Sequence, residues 1–344
     1  MWFYFTIFLF LVVLCFQQKS SYRVALYCLA GFILILVAGL RPEEICRDYS
    51  EYRRYYEGIK VVGNVFLVEP TFVLITLITP RIEWLMLIYA SLSVTIILIA
   101  TKRITEFYFL SLLIFYSGYF LVHEMTQIRV GVAVGLLLLC IEHIYNRNLV
   151  KFILTGFAAA AFHFSALVVL PLYFLKKQKI NVCFYAFIIP VCYVLHFLGI
   201  HVSSLLFLLP AGESIQQKLM IHQLAMSTEA EIPQINVFNI IQIIRVAIVC
   251  VFLWKVPLLE SRNKFFIILI KIYVFSVSSF VLFADIPVFG FRISEVLGIV
   301  EIVLIPMLIY LFKQKFVAFS LCVLYAFGTL YMAIIYGGLL KPYF

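Results

Sequence analysis

Residues 121–174 read LVHEMTQIRVGVAVGLLLLCIEHIYNRNLVKFILTGFAAAAFHFSALVVLPLYF. Most of this stretch is apolar enough to lie in lipid. Yet it carries His123, Glu124, Gln127 and Arg129 at the start of one hydrophobic helix and His163 in the middle of the next segment. Even on the mildest scale an ionised side chain inside a bilayer costs about 2.5–3.5 kcal/mol, so such groups face a protein-lined or watery cavity and carry function. Everything else in the chain can be read as the walls, lid and partners of that cavity.

The composition fixes the solvent. Of 344 residues 65% are hydrophobic and 12% charged, against about 45–50% and about 25% for soluble domains. Mean hydropathy is +1.10. Apolar runs of about 20 residues, the length that crosses ~30 Å of hydrocarbon as helix, recur from end to end. No polar stretch is long enough for a separate soluble domain. The expected fold is all-α: one polytopic integral membrane domain over residues 1–344, about 10–12 transmembrane helices, one or two re-entrant or half-embedded segments, and an outward-facing cavity.

A net charge of +9 reflects short basic loops that set topology, not a nucleic-acid surface. Seven of the eight cysteines lie in apolar runs and only Cys46 lies in a polar loop. With no CxxC and no metal-type spacing, neither disulfides nor zinc are indicated. The opening MWFYFTIFLFLVVLCF has no basic n-region and no small-residue cleavage site, and reads as a retained first helix.

Helices are predicted at 2–16, 22–40, 84–101, 107–122, 125–145, 181–199, 237–254, 264–284, 290–312 and 315–337. Six short loops are basic, among them Lys102 and Arg103, Lys176, Lys177 and Lys179, and Lys255, Arg262 and Lys264; the positive-inside rule puts all six in the cytoplasm. Both termini then lie outside, with outer loops at about 41–65 and 200–236. Segment 66–80 cannot be a full span in this scheme. It reads as a half-embedded piece whose Glu69-Pro70 start has proline in the first helical turn. Segment 149–175 has cytoplasmic charges at both ends, so it reads as a hairpin turning near Ala161-Phe162-His163, with a single long tilted span as the rival. Residues 200–210 read as an amphipathic element on the membrane surface, and 211–235 as a solvated lid.

On this topology the polar residues collect at one level. Arg41 ends the second helix; Asp48 and Tyr52 follow in the first outer loop; Glu69 opens the half-embedded segment; His123, Glu124, Gln127 and Arg129 straddle a tight outer turn. Asn239, Gln242 and Arg245, spaced by three, share one helical face, and Arg292 and Glu295 begin the span at 290. Singly, each has a plainer role: Arg41 snorkelling, Arg292 and Glu295 an i,i+3 pair, Arg129 an ion pair with Glu124, His163 a bond to a carbonyl. Lys271 falls in the inner half of its helix and is expected to snorkel. Three arginines at one depth, Arg41, Arg129 and Arg292, suit an anion with several oxygens such as a lipid diphosphate. Asp48, Glu69, Glu124 and His163 could take a proton. Asp48 and Asp285 are the only aspartates, so there is no DxD motif; a glycine-rich phosphate loop, HExxH and GxSxG are absent as well.

The sequence resembles a family at these residues. GLR at 39–41 with Asp48, Tyr49 and Tyr52, then Glu69-Pro70, TQIRVGVA at 126–133, FHFSALVVLP at 162–171, and Arg292-Ile293-Ser294 resemble the EpsG family of Wzy-type polymerases of bacterial exopolysaccharide, capsule and O-antigen. The resemblance runs in order from about 39 to 295; residues 180–236 carry no matching motif. It implies polymerisation of undecaprenyl-diphosphate-linked oligosaccharide repeat units, as donor and acceptor, at the outer face of the bacterial inner membrane. A chain-length regulator and a flippase are the implied partners, membrane lipids the surroundings, and no cofactor is implied. A diphosphate is already a good leaving group, so the chemistry needs arginines to hold its charge and a base for the acceptor hydroxyl. His163 is the favoured base, with Asp48 or Glu69 as substitutes; Arg41, Arg129 and Arg292 are candidates for the diphosphate; Tyr52, His123, Glu124, Gln127, Gln242, Arg245 and Glu295 complete the candidate substrate surface; no metal is expected. The rivals are an O-antigen-ligase-like transferase and a lipid-linked oligosaccharide flippase.

Overall fold

The long apolar runs fold as helices that leave large apolar side chains on the outside, including Leu9, Val13, Phe157, Phe187, Phe316 and Leu324. In water such a surface would aggregate; in lipid it is solvated. The computed structural model describes residues 1–46, 48–63, 68–200 and 235–343. Both expectations for 200–236, the surface element and the lid, lie outside the described residues apart from a few at the edges.

In chain order the helices are α1 (Trp2–Cys15), α2 (Arg23–Gly39), α3 (Asp48–Glu57), α4 (Pro70–Ile78), α5 (Ile82–Ile104), α6 (Tyr108–Phe115), α7 (Ile128–Tyr145), α8 (Leu149–Phe162), α9 (Val182–Phe197), α10 (Ile240–Trp254), α11 (Val256–Glu260), α12 (Phe266–Leu282), α13 (Pro287–Gly298), α14 (Glu301–Leu304) and α15 (Lys315–Tyr331). Among the described residues there is no strand. Among the described residues, four helical stretches are long and apolar enough to cross a membrane: Ile82–Ile104, Ile128–Tyr145, Pro287–Tyr310 and Lys315–Tyr336; seven more are shorter and apolar. This is a polytopic all-α membrane protein, and the predicted spans match the helices to within a few residues. The segment read from sequence as the first outer loop is not a plain loop. It holds α3, where Tyr49, Tyr52 and Tyr56 recur at helical spacing and bury one face.

The chain packs as two compact units: Met1–Gln178 with Pro257–Leu269 and Ile299–Phe344, and Lys179–Val256 with Ile270–Gly298. In the first, α7 packs against α5 and α8, and α2 against α5. Helix α6 continues as a wide helix over Tyr116–Glu124. At its end the Met125 and Gln127 amides reach back five residues to the Phe120 and Val122 carbonyls, at 3.1 and 2.9 Å. Such π-type turns concentrate at functional sites, and this one delivers His123 and Glu124.

Segment 149–175 is a hairpin. Helix α8 stops at His163, whose backbone is extended (φ −156°, ψ 125°), and Phe164–Phe174 returns as a 3₁₀ helix packed along α8. Arg147 closes the base: its guanidinium donates to the Tyr173 and Leu175 carbonyls at 2.6 and 2.7 Å, and the Tyr173 hydroxyl donates to the Arg147 carbonyl at 3.1 Å. Buried Ala133, Ala159 and Ala166 let α7 and both arms approach closely. At the tip the Thr71 hydroxyl donates to the Ala161 carbonyl at 2.8 Å, which fixes the start of α4 against the turn. The nine residues of α4 are too few to span.

In the second unit Cys192, Val237, Phe280, Val281 and Ala284 form a buried cluster, and the Tyr193 hydroxyl donates to the Val237 carbonyl at 2.9 Å. Lys271 departs from expectation: it is 4% exposed, with its ammonium 5.7 Å from the Tyr185 ring centre. An aromatic face supplies the negative potential that lipid headgroups would have offered.

The hairpin puts Lys177 at the end opposite His163. The charge bias predicts that a cysteine introduced at Lys177 stays unlabelled by an impermeant thiol reagent in intact cells, while one at Glu51 labels. The reverse pattern would invert the orientation.

Candidate active site

Glu69 is the N-cap of α4, with Pro70 as the first helical residue. Its side chain makes no capping bond, so both carboxylate oxygens are available elsewhere. One accepts from the Arg129 guanidinium; the other meets His163 Nδ1 at 2.6 Å. Glu69 is 4% and His163 8% exposed, so the pair is largely shielded from screening. The three residues come from three elements: the start of α4, the first turn of α7 and the hairpin tip.

The geometry leaves capacity unused. Among the described residues His163 Nε2 and Arg129 Nε have no hydrogen-bond partner. A histidine whose Nδ1 is held by a carboxylate is fixed in orientation and in tautomer, with Nε2 left to accept a proton. Arg129 is walled by aromatic rings: its guanidinium carbon lies 5.6, 5.8 and 5.7 Å from the centres of Tyr52, Tyr55 and Phe72. These rings favour a planar, weakly hydrated cation. Burial pushes the Tyr52 phenol up to about 12 against the pull of Arg129, so it stays protonated at neutral pH.

The other candidates in this unit stand around the triad in distinct settings. Arg41, 3% exposed, donates to the Ala38 carbonyl and approaches Met86 Sδ at 3.7 Å, with Tyr49 5.7 Å away. It closes the end of α2 rather than snorkelling. Asp48 opens α3 one turn before Tyr52. Glu124 is buried and accepts from the Ser93 hydroxyl at 2.6 Å, so the ion pair with Arg129 weighed from sequence is not formed; Arg129 takes Glu69 instead. A Cβ at Gly131 would meet both Glu124 carboxylate oxygens at 2.7 Å, so any larger residue here would displace the carboxylate. His123 is fully buried, lies tilted against Tyr119 with ring centres 5.7 Å apart, and has neither ring nitrogen partnered among the described residues. Gln127 is the N-cap of α7, half-exposed, with its side-chain oxygen unpartnered among the described residues.

Gln242, Arg245, Arg292 and Glu295 belong to the second unit. Arg245 donates to Ser294 Oγ at 3.1 Å and Ser276 Oγ at 2.8 Å, and Gln242 Nε2 to the Val277 carbonyl at 2.9 Å. The shared face of α10 read from sequence thus ties α10 to α12 and α13. Glu295 and Arg292 form no direct i,i+3 ion pair among the described residues. Arg292 itself is exposed.

Sequence reasoning missed Ser93, Tyr55 and Phe72, and also Glu301, which accepts from Tyr119 at 2.9 Å and from Tyr325. A lone glutamate opening a helix at 301 was the available signal for the last. Among the described residues no group of three or more His, Cys, Asp or Glu side chains is placed to hold a metal.

Residues 24–344 match the EpsG family. The chain belongs to the EpsG family. Its members are Wzy-type polysaccharide polymerases, so the coarse activity is that of a glycosyltransferase-type polymerase in a membrane. No curated protein and no solved structure matches the chain. The family match spans the triad, the hairpin and both units, as did the motif resemblance read from sequence.

Proposed function

We propose that this EpsG protein joins lipid-diphosphate-linked oligosaccharide repeat units into a surface polysaccharide at the outer face of the bacterial inner membrane, with undecaprenyl diphosphate as leaving group. The observation that carries the reading is the triad: Glu69 holds His163 Nδ1 at 2.6 Å and also holds Arg129, while His163 Nε2 and Arg129 Nε, both buried, have no hydrogen-bond partner among the described residues.

In the proposed step the acceptor hydroxyl gives its proton to His163 Nε2 as its oxygen bonds to the donor anomeric carbon. The bond from that carbon to the diphosphate oxygen breaks, and its electron pair leaves with the diphosphate. Arg129 faces the developing charge, while the Glu69 carboxylate stabilises the imidazolium through Nδ1. Asp48 and Arg41 stand as further proton and anion candidates, and Arg292 as an anion candidate on the second unit.

Deleting the gene and examining the surface glycan by gel tests the reaction class. Loss of a polymerase leaves single capped repeat units, loss of a ligase leaves uncapped lipid-linked chains, and loss of a flippase leaves neither. The purified protein is expected to polymerise in EDTA at close to its untreated rate, since among the described residues the carboxylates are not clustered as hard-cation ligands. A strict magnesium or manganese requirement would overturn the drawn mechanism.

A further inference from the structure

At the end of the first unit remote from His163, an open cleft of about 380 Å³ is lined by Lys102, Arg103, Arg262, Lys264, Glu106 and Tyr310, among others. Four cations face one acid, and that acid is engaged, since Glu106 accepts from the Tyr310 hydroxyl. Arg103 has a partner in Glu142 at 3.4 Å. Lys102, Arg262 and Lys264 make no ion pair among the described residues. Topology alone needs basic residues in the loop; it does not need them gathered around a cavity.

The cleft is held in shape. Asn263 Nδ2 donates to the Ile104 carbonyl at 2.9 Å, and Asn263 Oδ1 accepts from the Phe265 amide at 2.8 Å, which locks the 259–265 turn to the end of α5. Aromatic rings orient the cations: Arg262 lies 5.7 Å from the Tyr310 ring centre, and Lys264 lies 5.6 and 4.9 Å from those of Tyr145 and Phe265. Convergent cations on a fixed frame recognise an anion with several oxygens.

We infer that this cleft binds the phosphate of an anionic phospholipid headgroup. The same chemistry would take a soluble phosphate compound. The lipid is the source the position favours, because Ile104 ends a helix long and apolar enough to cross the membrane, so a ligand there sits at headgroup depth with its chains free to lie along apolar helix flanks. Basic pockets at that level bind lipid headgroups.

Native mass spectrometry of the full-length protein in neutral detergent, titrated with phosphatidylglycerol or phosphatidylcholine, tests the site. Phosphatidylglycerol is expected to bind roughly tenfold or more tighter than phosphatidylcholine. Arg262→Gln with Lys264→Gln should abolish that preference, while Lys313→Gln with Lys315→Gln, in another basic loop, should keep it. If the first pair fails to fold, Arg262→Gln alone is exposed enough to tolerate and should cost roughly fivefold. Equal binding of the two lipids, or an unchanged preference in the Arg262 variants, would overturn the inference. Displacement of phosphatidylglycerol by millimolar inorganic phosphate would overturn the lipid as the source.

Discussion

His163→Gln is expected to abolish long-chain polysaccharide while leaving the protein folded and in the membrane. Glutamine can still donate to Glu69 but has no nitrogen that accepts a proton at neutral pH, so the variant removes the base and keeps the contact. General-base removal costs typically 10²–10⁴-fold in rate. Glu69→Gln should fall in the same range for a different reason: it drops the charge that orients His163 and balances Arg129. The two variants separate by stability. Breaking a buried ion pair from one side costs about 3–5 kcal/mol because a charge is left without its partner, so Glu69→Gln should lower the thermal midpoint and His163→Gln should hardly move it. In a polymerisation assay on purified, normally folded protein, wild-type activity in His163→Gln would refute the histidine as base.

The reach of the sequence ended where contacts became long-range. Apolar runs set the helices, because in lipid a helix satisfies its own backbone. The hairpin was legible from like charges at its two ends and from a histidine at its centre. Glu69-Pro70 was legible as a helix start, since proline there loses no hydrogen bond. What stayed hidden was that Glu69 joins Arg129 and His163 across 60 and 94 residues. No local spacing records such a meeting, and Glu124, five residues from Arg129, looked the nearer partner. The two residues lie on separate segments, Glu124 at the end of the wide helix and Arg129 in the first turn of α7, and Glu124 meets Ser93 and Gly131 instead. Gln242 and Arg245 show a different limit of local spacing. Their shared face was read correctly, but a polar face inside a bundle can serve neighbouring helices as readily as a ligand.

Arg129→Lys is the second large effect, expected to fall nearly as far as Arg129→Ala. Lysine keeps the charge and could still pair with Glu69. It has no planar fork, so it cannot hold Glu69 with one N–H and present another to a phosphate oxygen in a fixed direction. The ring wall of Tyr52, Tyr55 and Phe72 sharpens the contrast, because a compact, strongly hydrated ammonium loses more on entering it than a guanidinium does. Losing an electrostatic group aimed at developing charge costs typically 10²–10³-fold. Were Arg129 only the structural counter-ion of Glu69, lysine would serve almost as well and alanine would register chiefly as lost protein. Expression level and thermal midpoint measured beside activity therefore separate the two roles. A well-folded Arg129→Lys protein that makes normal long-chain polysaccharide would remove Arg129 from the diphosphate and leave it as the clamp on Glu69.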